Sequence, residues 1–181
     1  NIIDAEKAVE NYIKEKDIET IFDGLKGSGT LDYVSCWYYK AALYISNSNI
    51  NCAFVSTNSI TQGNQVGFLW PTIFSSGVHI SFAHKTFKWS NEARGIAAVY
   101  VVIVGFCKSD ARIKKLYTYD KVDGDPHLEL VKNINPYLIE GNNIIIGSRQ
   151  KPICSVPEMN FGNMPAEGGE YLFTNDEKEQ F

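Results

Sequence analysis

The hydrophobic positions of this chain change period along its length, and each change marks an element. Over residues 34–45, Val34, Trp37, Tyr38, Ala41, Ala42 and Ile45 recur at the three- and four-residue spacing of one helical face. Asp32 opens that helix and Ser46-Asn-Ser-Asn49 closes it. Ahead of it, residues 4–25 carry Val9, Tyr12 and Ile13 on one face and Ile18, Ile21, Phe22 and Leu25 on another. That arrangement predicts two short helices capped by Asp4 and Asp17, after which Gly24, Gly27 and Gly29 break the pattern. Residues 51–58 read as a short strand ending in polar residues, and 62–74 as a third helix that Pro71 kinks or breaks. Two longer strands, 78–89 and 96–106, joined across 90–95, make an antiparallel pair.

Beyond Lys108 the pattern weakens. Residues 109–130 mix charges around the turn signal Gly124-Asp-Pro126 and are expected to be a linker. Residues 133–139 and 143–147 predict short extended segments of a second unit, and the Gly-, Pro- and Asn-rich stretch 157–169 predicts loop.

Composition narrows the class. The chain has 181 residues, 44% hydrophobic and 21% charged, which excludes disordered, collagen-like and coiled-coil chains. A net charge of -4 excludes a uniformly basic nucleic-acid binder, so any contact with DNA or RNA must come from a local patch. Cys36, Cys52, Cys107 and Cys154 form no Cys-x-x-Cys pair, and no secretory signal precedes them. They read as reduced thiols of a cytoplasmic protein. The longest apolar run, 96–107, is too short to span a membrane. The chain opens on Asn1 rather than Met, and we expect it to be an excised piece of a longer polypeptide.

Few motifs carry chemistry. His79 and His84, five apart on one predicted strand, are expected on opposite faces, and no metal site is expected. The glycines at 24, 27 and 29 follow a helix, not a strand, so they make no phosphate loop. Asn135-Pro-Tyr137 lacks the second proline of the amino-methyltransferase signature and lies after the strand pair, so it is a decoy. The stretch 84–94 is richer: Lys85, Lys88 and Arg94 interleave with Phe87 and Trp89. Such a mixture suits a surface that neutralises phosphate and stacks a base. On pattern alone, the plainer reading is that Phe87 and Trp89 share a strand face and fill core.

Four segments together resemble one family. Leu31-Asp-Tyr-Val-Ser-Cys-Trp-Tyr-Tyr-Lys-Ala-Ala42, Ala53-Phe-Val-Ser-Thr-Asn-Ser-Ile60, Gln65-Val-Gly-Phe-Leu-Trp-Pro71 and Phe82-Ala-His-Lys-Thr-Phe-Lys-Trp-Ser-Asn-Glu-Ala-Arg-Gly95 are similar to the MmeI-like adenine-specific DNA methyltransferases of type II restriction-modification systems. Asn135-Pro-Tyr-Leu-Ile139, Ser148-Arg-Gln-Lys-Pro152 and Val156-Pro-Glu-Met-Asn-Phe-Gly-Asn163 extend the resemblance over nearly the whole chain. It implies an α/β, partial Rossmann-like fold: the last three strands of a methyltransferase sheet with flanking helices, then a short mixed α/β or β segment. The final strand would insert antiparallel between its two predecessors. The implied division is 1–108 for the second half of the catalytic domain, 109–130 for a linker and 131–181 for the start of a target-recognition region.

The resemblance also implies roles. S-adenosylmethionine is the expected methyl donor and adenine N6 in double-stranded DNA the expected acceptor. Asp32, Tyr33, Trp37, Thr57 and Asn58 would border the cofactor, Trp37 packing on its adenine; Thr57 and Asn58 end a strand, where open α/β sheets place ligands. Phe87 and Trp89 would stack on the extruded target base, and Lys85, Lys88 and Arg94 would meet DNA phosphates. Strand alternation puts Lys88 opposite Phe87 and Trp89, which weakens its case. No catalytic residue is expected in this chain, since neither the glycine motif nor Asn-Pro-Pro-aromatic occurs in it. The remaining partners would be the rest of the polypeptide: an upstream cofactor-binding half, a downstream recognition region and a nuclease domain if one is attached. The alternative is a non-catalytic α/β module that binds nucleic acid through residues 87–94. A third possibility is a plain protein-interaction domain, favoured if the aromatics are buried.

Overall fold

The computed structural model describes residues 2–23, 25, 27–89, 99–147 and 151–157, with side chains from residue 6 onward. Two compact units divide the chain at residue 148. All the helices and strands belong to the first unit; the described residues of the second, 151–157, contain neither. No helix among the described residues is long and apolar enough to cross a membrane.

One helix, α1 (Ile2–Ile21), replaces the expected pair. Asp17 lies inside it and caps nothing; its carboxylate accepts a hydrogen bond from the Tyr33 hydroxyl at 2.8 Å. Only the end of α1 docks: Ile18 and Phe22 are buried, and Phe22 stacks on Tyr39 at 4.8 Å, whereas Val9, Tyr12 and Ile13 stay exposed. A short 3-10 turn (Ser28–Thr30) leads into α2 (Val34–Ile45), which forms where its apolar stripe predicts. Next come β1 (Cys52–Thr57), a second 3-10 turn (Asn58–Thr61) and α3 (Gly63–Ser75). α3 continues through Pro71 without a break. Val66, Leu69, Trp70 and Ile73 are almost completely buried along its inner face, and this packing outweighs a local cost of about 3 kcal/mol for an interior proline.

β2 (His79–Trp89) and β3 (Val99–Cys107) follow as the hydrophobic pattern predicts. Residues 90–98, including the joint between them, lie outside the described residues. β3 lies between β1 and β2 and is antiparallel to both, as the resemblance implied. Residues 109–130 are not merely a linker: β4 (Lys114–Thr118) pairs parallel with β2, and β5 (His127–Val131) pairs antiparallel with β4. The sheet order is β1-β3-β2-β4-β5. Charged β4 and β5 concealed their alternation because only Lys114, Leu116 and Val131 are buried there. Lys114 is compensated by Asp110 at 2.8 Å and by the Asn133 side-chain oxygen at 2.9 Å. Of the extended segments expected at 133–139 and 143–147, the first retains one bridge, Ile134 to Glu140, and the second forms no strand.

The helices pack on one face of the sheet. Tyr38 is fully buried there, stacked on Phe106 at 5.7 Å and bonded to Ser56 at 3.0 Å, while the Trp70 indole donates to the Ile60 carbonyl at 2.8 Å. On the opposite face the Phe82 ring lies across Gly105, where a Cβ would sit 2.8 Å from Cζ and closer still to Cδ1 and Cε1. The resulting fold is mixed α/β, a partial Rossmann-like sheet extended by β4 and β5.

Candidate functional site

Because β1, β2 and β4 are mutually parallel, their carboxyl ends share one edge of the sheet. Open α/β sheets bind ligands outside such an edge. Thr57 and Asn58 lie there, at the end of β1. The start of α2 is tied to the same edge by Gln65. Its amide donates to the Thr30 carbonyl at 2.8 Å, and its oxygen accepts from the Asp32 amide at 3.0 Å and the Ser35 hydroxyl at 3.3 Å. Asp32 is therefore held at the edge by a side chain that the sequence reading did not single out.

Tyr33 and Trp37 point elsewhere. They line a cleft of about 330 Å³ between α1 and α2, with Asp17, Cys36 and Lys40. Trp37 is 60% exposed, so it is not core. The Asp17 carboxylate bonded to Tyr33 raises that phenol above its ordinary pKa, and burial raises the Cys36 thiol.

Two bulges decide what β2 presents. One falls between Ile80 and Phe82, the other between His84 and Phe87. A bulge opposes two residues to one and re-aims side chains. The first puts His79, opposite Cys107, and His84, opposite Ile103, on the same face, correcting the expectation of opposite faces. The second removes Lys85 and Thr86 from the alternation. Both face a crevice of about 320 Å³ whose other walls are Thr61, Gln62, Tyr119 and residues 137–139. Phe87 and Trp89, paired with Val101 and Val99, stay on the face of His84.

There an aromatic column forms. Tyr117 stacks on His84 at 4.1 Å and 9°, the Nδ1 of His84 meets the Tyr119 hydroxyl at 2.7 Å, and Phe87 stacks on Tyr119 at 5.2 Å and 22°. Trp89 is 6.2 Å from Phe87 and 49% exposed. Burial pushes the His84 imidazole below its ordinary pKa and raises the Tyr119 phenol. Both are neutral near pH 7, and the imidazole can accept the phenol proton. Of the two aromatics, Trp89 is exposed and Phe87 half-buried, so full burial, which would favour a plain interaction domain, is not seen. Tyr117, on β4, and Tyr119, just past its end, do not stand out in the sequence because they lie inside the expected linker. Lys88 is exposed at the end of β2, and Arg94 lies outside the described residues.

Asn135-Pro-Tyr137 forms a turn. The Asn135 side-chain oxygen accepts the amides of Tyr137 and Ile139 at 3.0 and 3.3 Å, so its acceptor is committed to the backbone.

A mixed sheet in which β1, β2 and β4 run parallel and β3 is inserted antiparallel between β1 and β2 is consistent with part of a Rossmann-like methyltransferase fold. Residues 6–118 match the MmeI DNA-methyltransferase domain, and residues 140–181 match the MmeI target recognition domain. The chain belongs to this MmeI-type DNA methyltransferase family of restriction-modification enzymes. It is 47% identical over 165 residues to DNA methyltransferase A of Bacillus subtilis (strain 168), covering 91% of this chain and 18% of that protein. The type IIL restriction-modification enzyme MmeI, whose structure was solved in complex with DNA, superposes with a TM-score of 0.85 at 51% identity, covering 93% of this chain and 23% of that one. The chain thus spans about a fifth of the length of these relatives.

Proposed function

We propose that the chain is the second half of the catalytic domain of a site-specific DNA methyltransferase, joined to the beginning of its target-recognition region. The complete protein transfers a methyl group from S-adenosylmethionine to adenine N6 in double-stranded DNA, acting in the cytoplasm as part of a type II restriction-modification system. The observation that carries this reading is the family match over residues 6–118 combined with a half-buried aromatic column that ends in the exposed Trp89 at the carboxyl edge of the sheet. Because β4 and β5 continue the sheet, we extend the catalytic portion through Val131 and start the recognition region near residue 140.

The division of labour follows from the geometry. A base inside a duplex cannot reach a methyl donor, so it must leave the stack and be held. Phe87, backed by Tyr119, and the exposed Trp89 supply flat apolar faces for it. Lys85, Lys88 and Arg94 neutralise the backbone phosphates. Asp32, Thr57 and Asn58 carry hydrogen-bonding groups suited to the polar rim of an adenosyl group, and Asp32 is oriented by Gln65. Tyr33 and Trp37 extend that border only if the bound cofactor reaches the α1–α2 cleft. When bound, S-adenosylmethionine supplies the electrophilic methyl on its sulfonium. The exocyclic amine of adenine is a poor nucleophile, and its activation belongs to residues outside this chain. What this chain contributes is positioning.

The test is to incubate the full-length protein with DNA and methyl-labelled S-adenosylmethionine and to separate the nucleosides by mass spectrometry. Label in N6-methyladenine is expected. Label confined to cytosine, or absent from DNA, contradicts the proposal.

A further inference from the structure

The crevice on the helix side of the second β2 bulge contains a cation, Lys85, with no counter-charge among the described residues. Lys85 is half-buried, and no described carboxylate forms an ion pair with it, although Lys14, Lys16 and Lys114 each have one. A partly desolvated ammonium is costly unless an anion completes it.

The neighbouring polar groups divide into spent and available donors. The Thr61 hydroxyl is spent on the Asn58 carbonyl at 2.8 Å. The Asn58 amide donates to the Thr86 hydroxyl oxygen at 3.5 Å, which leaves the Thr86 proton free to point into the crevice. Gln62 is exposed at the rim, and its side chain has no partner among the described residues. Three donors therefore face one space: the Lys85 ammonium, the Thr86 hydroxyl and the Gln62 amide. Among the described residues, no carboxylate lines that space. The opposite wall is largely apolar, from Tyr137, Leu138 and Ile139. Leu138 is buried and held at a φ of 55°, a left-handed conformation that costs a leucine energy and that the Asn135 turn enforces.

We infer that this crevice is a subsite for one DNA phosphodiester, Lys85, Thr86 and Gln62 receiving its oxygens and the 137–139 wall receiving its deoxyribose. Asn58 is then a positioning residue that orients the Thr86 hydroxyl. The inference rests on the DNA-methyltransferase reading and deepens it, because it separates the built phosphate site from the aromatic face that holds the base. The two adjoin: Thr86 faces the crevice, the next residue, Phe87, faces the column, and Tyr119 borders both. A phosphate gripped on one face and a base held on the other is the arrangement that keeps a nucleotide out of the stack.

The experiment uses the full-length protein and a fluorescent duplex carrying its own methylation site, mapped from the DNA that it methylates. Anisotropy over a salt series gives the affinity and its salt slope. Lys85→Ala is expected to reduce the slope by about one, and Lys85→Arg to restore it. Thr86→Val and Gln62→Ala are expected to weaken binding roughly five- to twenty-fold with the slope unchanged. Asn58→Ala should match Thr86→Val and add nothing to it. A scan of single methylphosphonates should find one position whose neutralisation abolishes the Lys85→Ala effect. An unchanged slope in Lys85→Ala, or no such position, overturns the inference. So does binding of inorganic phosphate or adenosine monophosphate that depends on Lys85 while the DNA slope does not. Wild-type protein that neither binds nor methylates the duplex refutes the underlying reading instead, a distinguishable failure.

Discussion

The buried contact between Tyr38 and Ser56 allows a prediction whose sign and order follow from hydrogen-bond accounting. Tyr38 is fully buried on α2, and its hydroxyl lies 3.0 Å from the Ser56 hydroxyl on β1. Ser56 has a second partner, the Thr57 carbonyl at 3.2 Å. Tyr38→Phe therefore removes one hydrogen bond but leaves Ser56 satisfied, at a cost of about 0.5–1.5 kcal/mol. Ser56→Ala instead strands a phenol hydroxyl in the core, at a cost of about 1–3 kcal/mol. The order is decisive: each variant deletes one hydroxyl, yet Ser56→Ala should be the more damaging. The double variant removes both groups, so its cost should fall below the sum of the single costs by about 1 kcal/mol. Urea midpoints at unchanged m measure all three, and thermal midpoints should move by about 2–4 °C per kcal/mol for a chain of this size. If Tyr38→Phe costs as much as Ser56→Ala, or the two costs simply add, the reasoning is refuted.

Other predictions follow from the same structure. Gly105→Ala should destabilise by about 1–3 kcal/mol because its Cβ collides with the Phe82 ring, and the penalty should shrink in a Phe82→Ala background; equal penalties in both would contradict the packing. The Lys114 ammonium holds the Asp110 carboxyl below its ordinary pKa, so their contribution is present above about pH 4 and is lost as pH falls through the lowered folded value. Lys114→Met should flatten that acid loss, measurable as urea midpoints against pH, and an identical pH profile in the variant would count against the pair. The 181-residue chain alone should transfer no methyl to DNA, since Asn-Pro-Pro-aromatic does not occur in it; turnover with labelled cofactor would contradict this.

Much of the fold is legible in the sequence because its core elements carry strong periodicity. The stripe of α2, the apolar runs of β2 and β3 and the polar end of β1 each coincide with a buried face or a strand end. What escapes is set by tertiary context. Pro71 signals a break, yet the buried stripe of α3 carries the helix through it. β4 and β5 are masked because a buried Lys114 reads as surface until Asp110 and Asn133 are seen beside it. The site is legible in its residue types and not in its geometry. Lys85, Phe87 and Trp89 stand out in the sequence, but a bulge has no one-residue signature. Strict alternation would put Lys85 on the face of Phe87 and Trp89; the extra residue sends Lys85 to the crevice with Thr86 instead. Tyr119 and Gln65 support the site from elements distant in sequence, so neither can be found by spacing around residues 84–94.

The central claim is that the carboxyl edge of this sheet holds an extruded adenine on Phe87. It is tested most directly by placing 2-aminopurine at the target adenine of the duplex and measuring its fluorescence with full-length wild-type protein and with Phe87→Ala. Wild-type protein should change the emission as the base leaves the stack, with part of the signal quenched by aromatic contact. Phe87→Ala should bind DNA but relieve that quenching and lose methylation. Identical emission and identical methylation in the two proteins would contradict the account.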